Sequence, residues 1–273
     1  MKTDIIVLCN SDKAPLLDSL AKADFAAETR LFICGNPVPK LLDKYHDAFA
    51  AVITDNNDAD PIDYITSFFA SQSRAIIMDA GAEVSPFVLK YLNSALEFYD
   101  NRGVAFISAS CPEIEIPLDF QFSSFAMHRP EFFAFATWAN VWKKFDLSDN
   151  AVYNVFSDSK WLAEFKQACP DLTLDIINAK GHHSPISMQC RLALAACLLS
   201  YPTIYPRRSL ARSSVRDPKA IVAPLSLNVS LSHFTTGIAQ EQDLAEQFYR
   251  HFKIGALDSL KSWFLTLNKN RFK

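Results

Sequence analysis

The stretch Arg74–Asp79, RAIIMD, is a short apolar run that ends in an acid, and Ala80, Gly81 and Glu83 follow before Ser85–Pro86 opens a helical pattern. A carboxylate at the end of a buried strand is how an α/β protein presents an acid to a ribose or a metal ion. A hard cation needs several oxygen ligands; Ala80 and Gly81 supply none, and Glu83 offers a substitute. The plainer alternative is that Asp79 caps the turn after it. A second group is cationic: Arg207, Arg208, Arg212 and Arg216 lie in the run Pro206–Arg216. A guanidinium bonds phosphate oxygens with a planar fork and stays charged, so these residues suit a diphosphate. A solvated basic surface has the same composition.

Three further groups carry weaker signals. Phe135, Trp138 and Trp142 stand in an aromatic-rich stretch. Such rings suit the apolar faces of an acceptor sugar, and equally suit a core. His182–His183 after Gly181 would supply a base or ligand, or a solvated loop. The stretch DNNDAD (residues 55–60) has the composition of a calcium loop. It lacks that loop's glycine and closing glutamate and reads as a solvated turn.

The elements that must position these groups come from hydrophobic patterning. With 273 residues, 49% of them hydrophobic, the chain can bury a large core. A net charge of −3 gives no nucleic-acid footprint. The apolar run Ile5–Cys9 is strand-length, too short for a signal segment, and no window reaches the roughly 18 apolar residues of a membrane span. The six cysteines are scattered without a C-x-x-C pair and read as reduced thiols of a cytoplasmic protein.

Compact apolar runs predict strands at 4–9, 30–34, 49–54, 74–79 and 104–108. Between them lie helical segments at about 12–23, 41–45, 61–71, with Pro61 at the first helical position, and 85–99. This alternation predicts a parallel sheet covered on both faces, with its ligand beyond the carboxyl ends of the strands. Asn10–Asp12, Gly35–Asn36, Asp55–Asp58 and Asp79–Glu83 would then share one rim. The second half breaks the alternation: 111–130 reads as irregular or antiparallel. Helices are expected near 158–168 and 184–199, with a strand at 203–205. Leu244, Phe248 and Phe252, then Leu257, Leu260, Phe264 and Leu267, form two helical stripes.

Four stretches, in order, resemble a GT-A glycosyltransferase of the inverting family-two type, in the bacterial branch of polysaccharide and lipopolysaccharide sugar transferases. They are LCNSDKAPLLDSLAKAD, MDAGAEVSPFVLKYLNSALEFYD, FFAFATWANVWKKFD and LSYPTIYPRRSLARSSVRD. The resemblance implies an α/β, Rossmann-like fold with a GT-A domain at 1–220 and a helical extension at 221–273. It implies a nucleotide-sugar donor near Asn10, Asn36, Asp79, Glu83, Arg207, Arg208 and Arg212, and an acceptor, a glycan or a lipid-linked sugar, near Phe135, Trp138 and Trp142.

The departures concern chemistry. Where the family has a Glu-Asp-Asp cluster for its divalent metal, this chain has Asp79-Ala80-Gly81. The family's late Trp-Asp-x-Gln, whose Asp is the base, aligns with Ile186-Ser187-Met188-Gln189, and serine alone cannot deprotonate a sugar hydroxyl. No cofactor is therefore expected, although manganese or magnesium stays open, and the catalytic base is unassigned. The readings are a metal-independent transferase, a glycosyltransferase-like pseudoenzyme with a binding or regulatory role, and a simple nucleotide or carbohydrate module. The basic-ended helix over 257–267 would lie on a membrane surface or a protein partner, or on its own domain.

Overall fold

The computed structural model describes residues 2–9, 15–35, 43–55, 60–182, 184–213, 233–239 and 242–253. The first half alternates as the patterning predicts. Strand β1 (Ile5–Cys9) leads to α1 (Pro15–Leu20), β2 (Arg30–Gly35), β3 (Ala51–Asp55) and α2 (Pro61–Phe68). Then come β4 (Arg74–Asp79), a three-residue β5 (Ala82–Val84), α3 (Val88–Phe98) and β6 (Phe106–Ser108). Asp60 caps α2 by accepting the Ile62 N–H, with Pro61 at the first position where its missing N–H costs nothing.

The second half supplies β7 (Ser124–Met127), β8 (Ala134–Trp138), the single turn α4 (Ala139–Trp142), α5 (Asp149–Ser157) and α6 (Ser159–Ala168). It continues through α7 (Pro170–His182), α8 (Met188–Leu198), β9 (Thr203–Pro206), β10 (Ala211–Ser213) and α9 (Gln242–Phe252). The sequence pattern did not single out α5, α7 or the strands β5, β7, β8 and β10. His182 ends a helix rather than standing in a loop. The expected helices over 12–23 and 41–45 are described only in part, and the stripe at 257–267 lies outside the described residues.

Eight strands form one sheet in the order β3-β2-β1-β4-β8-β6-β9-β7. Strands β3, β2, β1 and β4 are parallel neighbours, as are β6 and β9. The sheet is mostly parallel, as expected, with antiparallel strands in its second half. The predicted fifth strand does not lie beside β4; β8 is inserted between β4 and β6 and runs antiparallel to both. Strand β8, AFATW, is buried along its whole length, so it shows no polar alternation to mark it in the sequence.

Both sheet faces are covered. Ile5, Val7 and Cys9 of β1 pack with Leu16, Leu20, Val88 and Leu92. Ile6 and Leu8, pointing the other way, pack with Ile65, Phe68, Leu192 and Ala193. The period of two along a strand fixes this division. The described part of the 221–273 extension shares these cores. Phe234 packs against the rings of Tyr91, Phe98 and Tyr99, and Phe248 packs edge-on against Phe125 and Tyr205.

Arg129, 8% exposed, anchors the same region. It forms ion pairs with Asp171 and Glu131 and lies 3.4 Å from the centre of the Phe252 ring. Burial opposes its charge, but the carboxylates of Glu131 and Asp171 outweigh that and raise its pKa.

If α9 is part of the fold, Phe248→Ala should cost about 3–5 kcal/mol, the range for truncating a buried aromatic side chain. Urea unfolding followed by circular dichroism measures it; a change below about 1 kcal/mol would mean that the helix is merely attached.

Candidate functional site

The carboxyl ends of β1, β2 and β4 meet at one rim. Leu8 is opposite Asp79, and Cys9 is opposite Gly35. This approach demands glycine: Gly35 has φ 110°, and a Cβ there would sit 2.3 Å from the Cys9 carbonyl oxygen. Burial, and then the nearby Asp79 carboxylate, push the Cys9 thiol up, so it stands at the rim as a neutral thiol. Cysteine at this position carries no nucleophile's signature.

Asp79 does what the plainer reading asked of it. Its Oδ1 accepts the Gly81 N–H at 2.7 Å, closing the turn, while its own N–H donates to the Phe133 carbonyl at 2.8 Å. The side chain is half-buried at the rim. Ala80 is turned into the core. The following β5 pairs antiparallel with β10, which sets Arg212 directly opposite Glu83. The Arg212 Nε donates to Glu83 Oε2 at 2.6 Å, and Nη2 forms an ion pair with the same oxygen at 2.6 Å. The sequence singled out both residues; the structure makes them one pair.

Backbone hydrogen bonds hold the late basic segment here. Ala109 N–H donates to Ala134 O, Leu210 N–H to Ala109 O, and Ser85 N–H to Leu210 O. Buried Ser209 adds its hydroxyl, which accepts the Cys111 N–H at 3.0 Å and donates to the Ala211 carbonyl at 2.7 Å. Ser209 was not a candidate from the sequence. A buried serine in a basic run gives no local pattern that separates it from a surface one.

The other arginines differ. Arg207 donates to the Phe120 carbonyl and lies 6.0 Å from that residue's ring centre, which ties it to the loop before β7. Arg208 is exposed. Asn10, Asn36, Arg216 and residues 56–59 of the acidic turn lie outside the described residues.

The aromatic candidates are corrected. Phe135 is fully buried, edge-on to Phe106 and Phe132. Trp138 and Trp142 are also buried; their indole N–H groups donate to Leu96 O and Thr66 Oγ1. Because β8 runs against β4, Trp138 pairs with Arg74. That is the amino end of β4, five residues from Asp79, or about 17 Å at 3.3–3.4 Å per residue. These rings are largely buried and lie away from the rim, Trp138 on the wall of a cleft at that far end. A cleft of about 680 Å³ does open at that far end, lined by Gln72, Arg74, Glu97, Asn101 and Lys143 among others. It is remote from the acids and arginines, and its mixed charges favour no ligand class.

The described residues of the rim do not form an all-protein cage for a divalent cation. Asp79 has one oxygen on the Gly81 N–H, Glu83 is paired with Arg212, and the side chains at Ala80 and Gly81 bring no oxygen. Calcium takes six to eight oxygens, whereas magnesium is commonly held by one or two carboxylates with waters and phosphates. Among the described residues, no cluster of three or more His, Cys, Asp or Glu side chains could hold a metal ion.

No protein-family model matches the sequence, and no curated protein matches it. Among solved structures, the chain is similar to S. aureus TarS 1–349 in complex with UDP-GlcNAc, at 11% identity and a TM-score of 0.44, over 81% of this chain and 60% of that one. It is also similar to the glucosyl-3-phosphoglycerate synthase of Mycobacterium tuberculosis, in complex with Mg2+ and uridine diphosphate. That match has 7% identity and a TM-score of 0.36, over 53% of this chain and 58% of that one. A cytidylyltransferase from Leptospira borgpetersenii matches at 12% identity and a TM-score of 0.32, over 52% and 62%. The fold is α/β, built on one mostly parallel eight-stranded sheet. These likenesses concern layout, and the chemistry must be argued from the residues.

The Cys9–Gly35 contact gives a direct check on the rim. Gly35→Ala combines a left-handed backbone with a Cβ against a main-chain oxygen, and should destabilise the protein by about 1–3 kcal/mol. A denaturation midpoint unchanged from wild type would show that the strands separate there at no cost.

Proposed function

We propose that the chain is a glycosyltransferase-like protein whose rim takes a nucleotide-sugar donor and holds the diphosphate with arginine instead of a divalent cation. One observation carries this reading: the β5–β10 ribbon brings Arg212 onto the same rim as Asp79, where Ala80 and Gly81 stand in place of metal-binding acids. A diphosphate needs compensating charge close by, and a guanidinium supplies it with oriented donors. Arg208, exposed four residues before Arg212, is the second candidate. Arg207 positions the segment through Phe120. Asn10 and Asn36, at the ends of β1 and β2 in the sequence, are proposed donor contacts through the resemblance. The acceptor would be a cell-surface glycan or lipid-linked sugar. The basic C-terminal stretch would bring the protein to a membrane surface or a protein partner.

A specific observation favours the second reading, a catalytically inactive relative that binds or regulates. Ser187 stands where the resemblance puts the catalytic base, and its hydroxyl accepts the Cys190 N–H as the cap of α8. A capping serine is no base. Among the described residues, no helix is long and apolar enough to cross a membrane.

The experiment is a calorimetric titration of uridine, cytidine, adenosine and guanosine diphosphates and their sugars at fixed ionic strength, with and without EDTA, alongside a hydrolysis assay. Binding should be indifferent to the chelator. Arg208→Ala or Arg212→Ala should each weaken it about ten- to hundredfold, which corresponds to losing a charge-assisted hydrogen bond of about 1.5–3 kcal/mol. Asp79→Ala should matter less than either. Binding that vanishes in EDTA and survives both arginine changes would sink the proposal. Tight binding without turnover would select the inactive reading.

A further inference from the structure

We propose that Glu83 occupies Arg212 in the absence of ligand, so that this carboxylate competes with an incoming diphosphate for the guanidinium. The inference rests on the rim being a diphosphate site, and it assigns Glu83 a role opposite to that of a donor ligand: it regulates access to the cation. Three features support it.

The first is geometry. The guanidinium meets a single oxygen: Nε donates to Oε2, and Nη2 lies 2.6 Å from that same oxygen. The favourable fork places one donor on each of two oxygens. A diphosphate presents several oxygens and meets the fork better than Glu83 does.

The second is exposure. The Glu83 and Arg212 side chains are 39% and 48% accessible, so an anion reaches the guanidinium without unfolding anything. Exposed pairs of this kind are weak and readily exchanged.

The third is anchoring. The backbone around Arg212 is fixed by the pairing of Ala211 with Val84 and of Ser213 with Ala82, and by the Ser85–Leu210 hydrogen bond. Exchange therefore needs only side-chain rotation: the guanidinium turns to the phosphate oxygens and the Glu83 carboxylate moves into water. Asp79 cannot act in the same way, since its Oδ1 is held by the Gly81 N–H.

The test titrates uridine diphosphate and inorganic pyrophosphate, in EDTA and at fixed ionic strength, into wild type, Glu83→Gln, Arg212→Ala and the double variant. Glutamine keeps the size of the side chain, and a thermal melt of each protein verifies folding. Removing the competitor should tighten binding about two- to fivefold in the wild-type background, the span of an exposed ion pair. In the Arg212→Ala background it should have no effect, because the competition runs through that guanidinium. Weaker binding by Glu83→Gln would make Glu83 a ligand or support for the donor and overturn the idea. Equal tightening in both backgrounds would reduce it to plain charge repulsion and overturn it too. Wild-type binding that Glu83→Gln leaves unchanged defeats the competition alone. If neither probe binds any of the four proteins, both the competition and the diphosphate reading beneath it fall.

Discussion

Three backbone hydrogen bonds in series determine where the chemistry stands. Ala134 accepts from Ala109, Ala109 accepts from Leu210, and Leu210 accepts from Ser85, at 2.9, 2.8 and 2.8 Å. They join the start of β8, the end of β6, the late basic segment and the turn after β5. With the β5–β10 pairing, this relay fixes the basic segment relative to Asp79 and Glu83. The relay exists because β8 runs backwards between β4 and β6, which brings its first residues to the carboxyl end of β4. Buried main-chain groups must find partners. Here the partners of Ala109, Leu210 and Ser85 come from segments distant in sequence.

The electrostatics of the rim follow from what the relay brings together. An exposed ion pair such as Glu83–Arg212 contributes about 0.2–1 kcal/mol. A charge-assisted hydrogen bond to a phosphate is worth about 1.5–3 kcal/mol. The difference lets one arginine be held in a defined place without ligand and still be given up to one. A divalent cation would be a stronger point charge, but the side chains at Ala80 and Gly81 bring it no oxygen. The Glu83–Arg212 pair is open to solvent, so its strength falls as salt rises.

Much of this was legible in the sequence, and the gaps have physical causes. Strands β1 and β4 were readable because parallel strands buried on both faces are continuous apolar runs. Strand β2 and the half-exposed edge strand β3 were readable because polar turns bound their short apolar runs. Strand β8 was not, because its apolar run sits inside an aromatic-rich stretch where periodicity cannot separate a strand from a helix. That omission had a consequence at the site. Motif order put Trp138 and Trp142 among the acceptor contacts, but the direction of β8 places them at the far end of the sheet. The three-residue strands β5 and β10 leave no local signal, since their pairing is a tertiary event. Asp79, Glu83 and Arg212 could therefore be named one by one. That Glu83 faces Arg212 could not.

The C-terminal region belongs to the same argument. Strand β7 is the last strand of the sheet, and an open edge invites unwanted pairing. Ser123 N–H donates to His233 O, and the Ser124 hydroxyl meets both Thr235 N–H and the Tyr99 hydroxyl, so residues 233–235 cover part of that edge. Helix α9 covers the hydrophobic group beneath it through Leu244 and Phe248, and Gln247 clamps the Glu115 backbone with both a donor and an acceptor. Tyr205, stacked on Phe125 and bonded through its hydroxyl to Arg129 O, is thereby enclosed two residues before Arg207. The arginine-bearing segment thus leaves a strand whose packing is completed by the C-terminal helix. Described residues on both sides of position 220, Phe125 and Tyr205 before it and Leu244 and Phe248 after it, pack in one hydrophobic group.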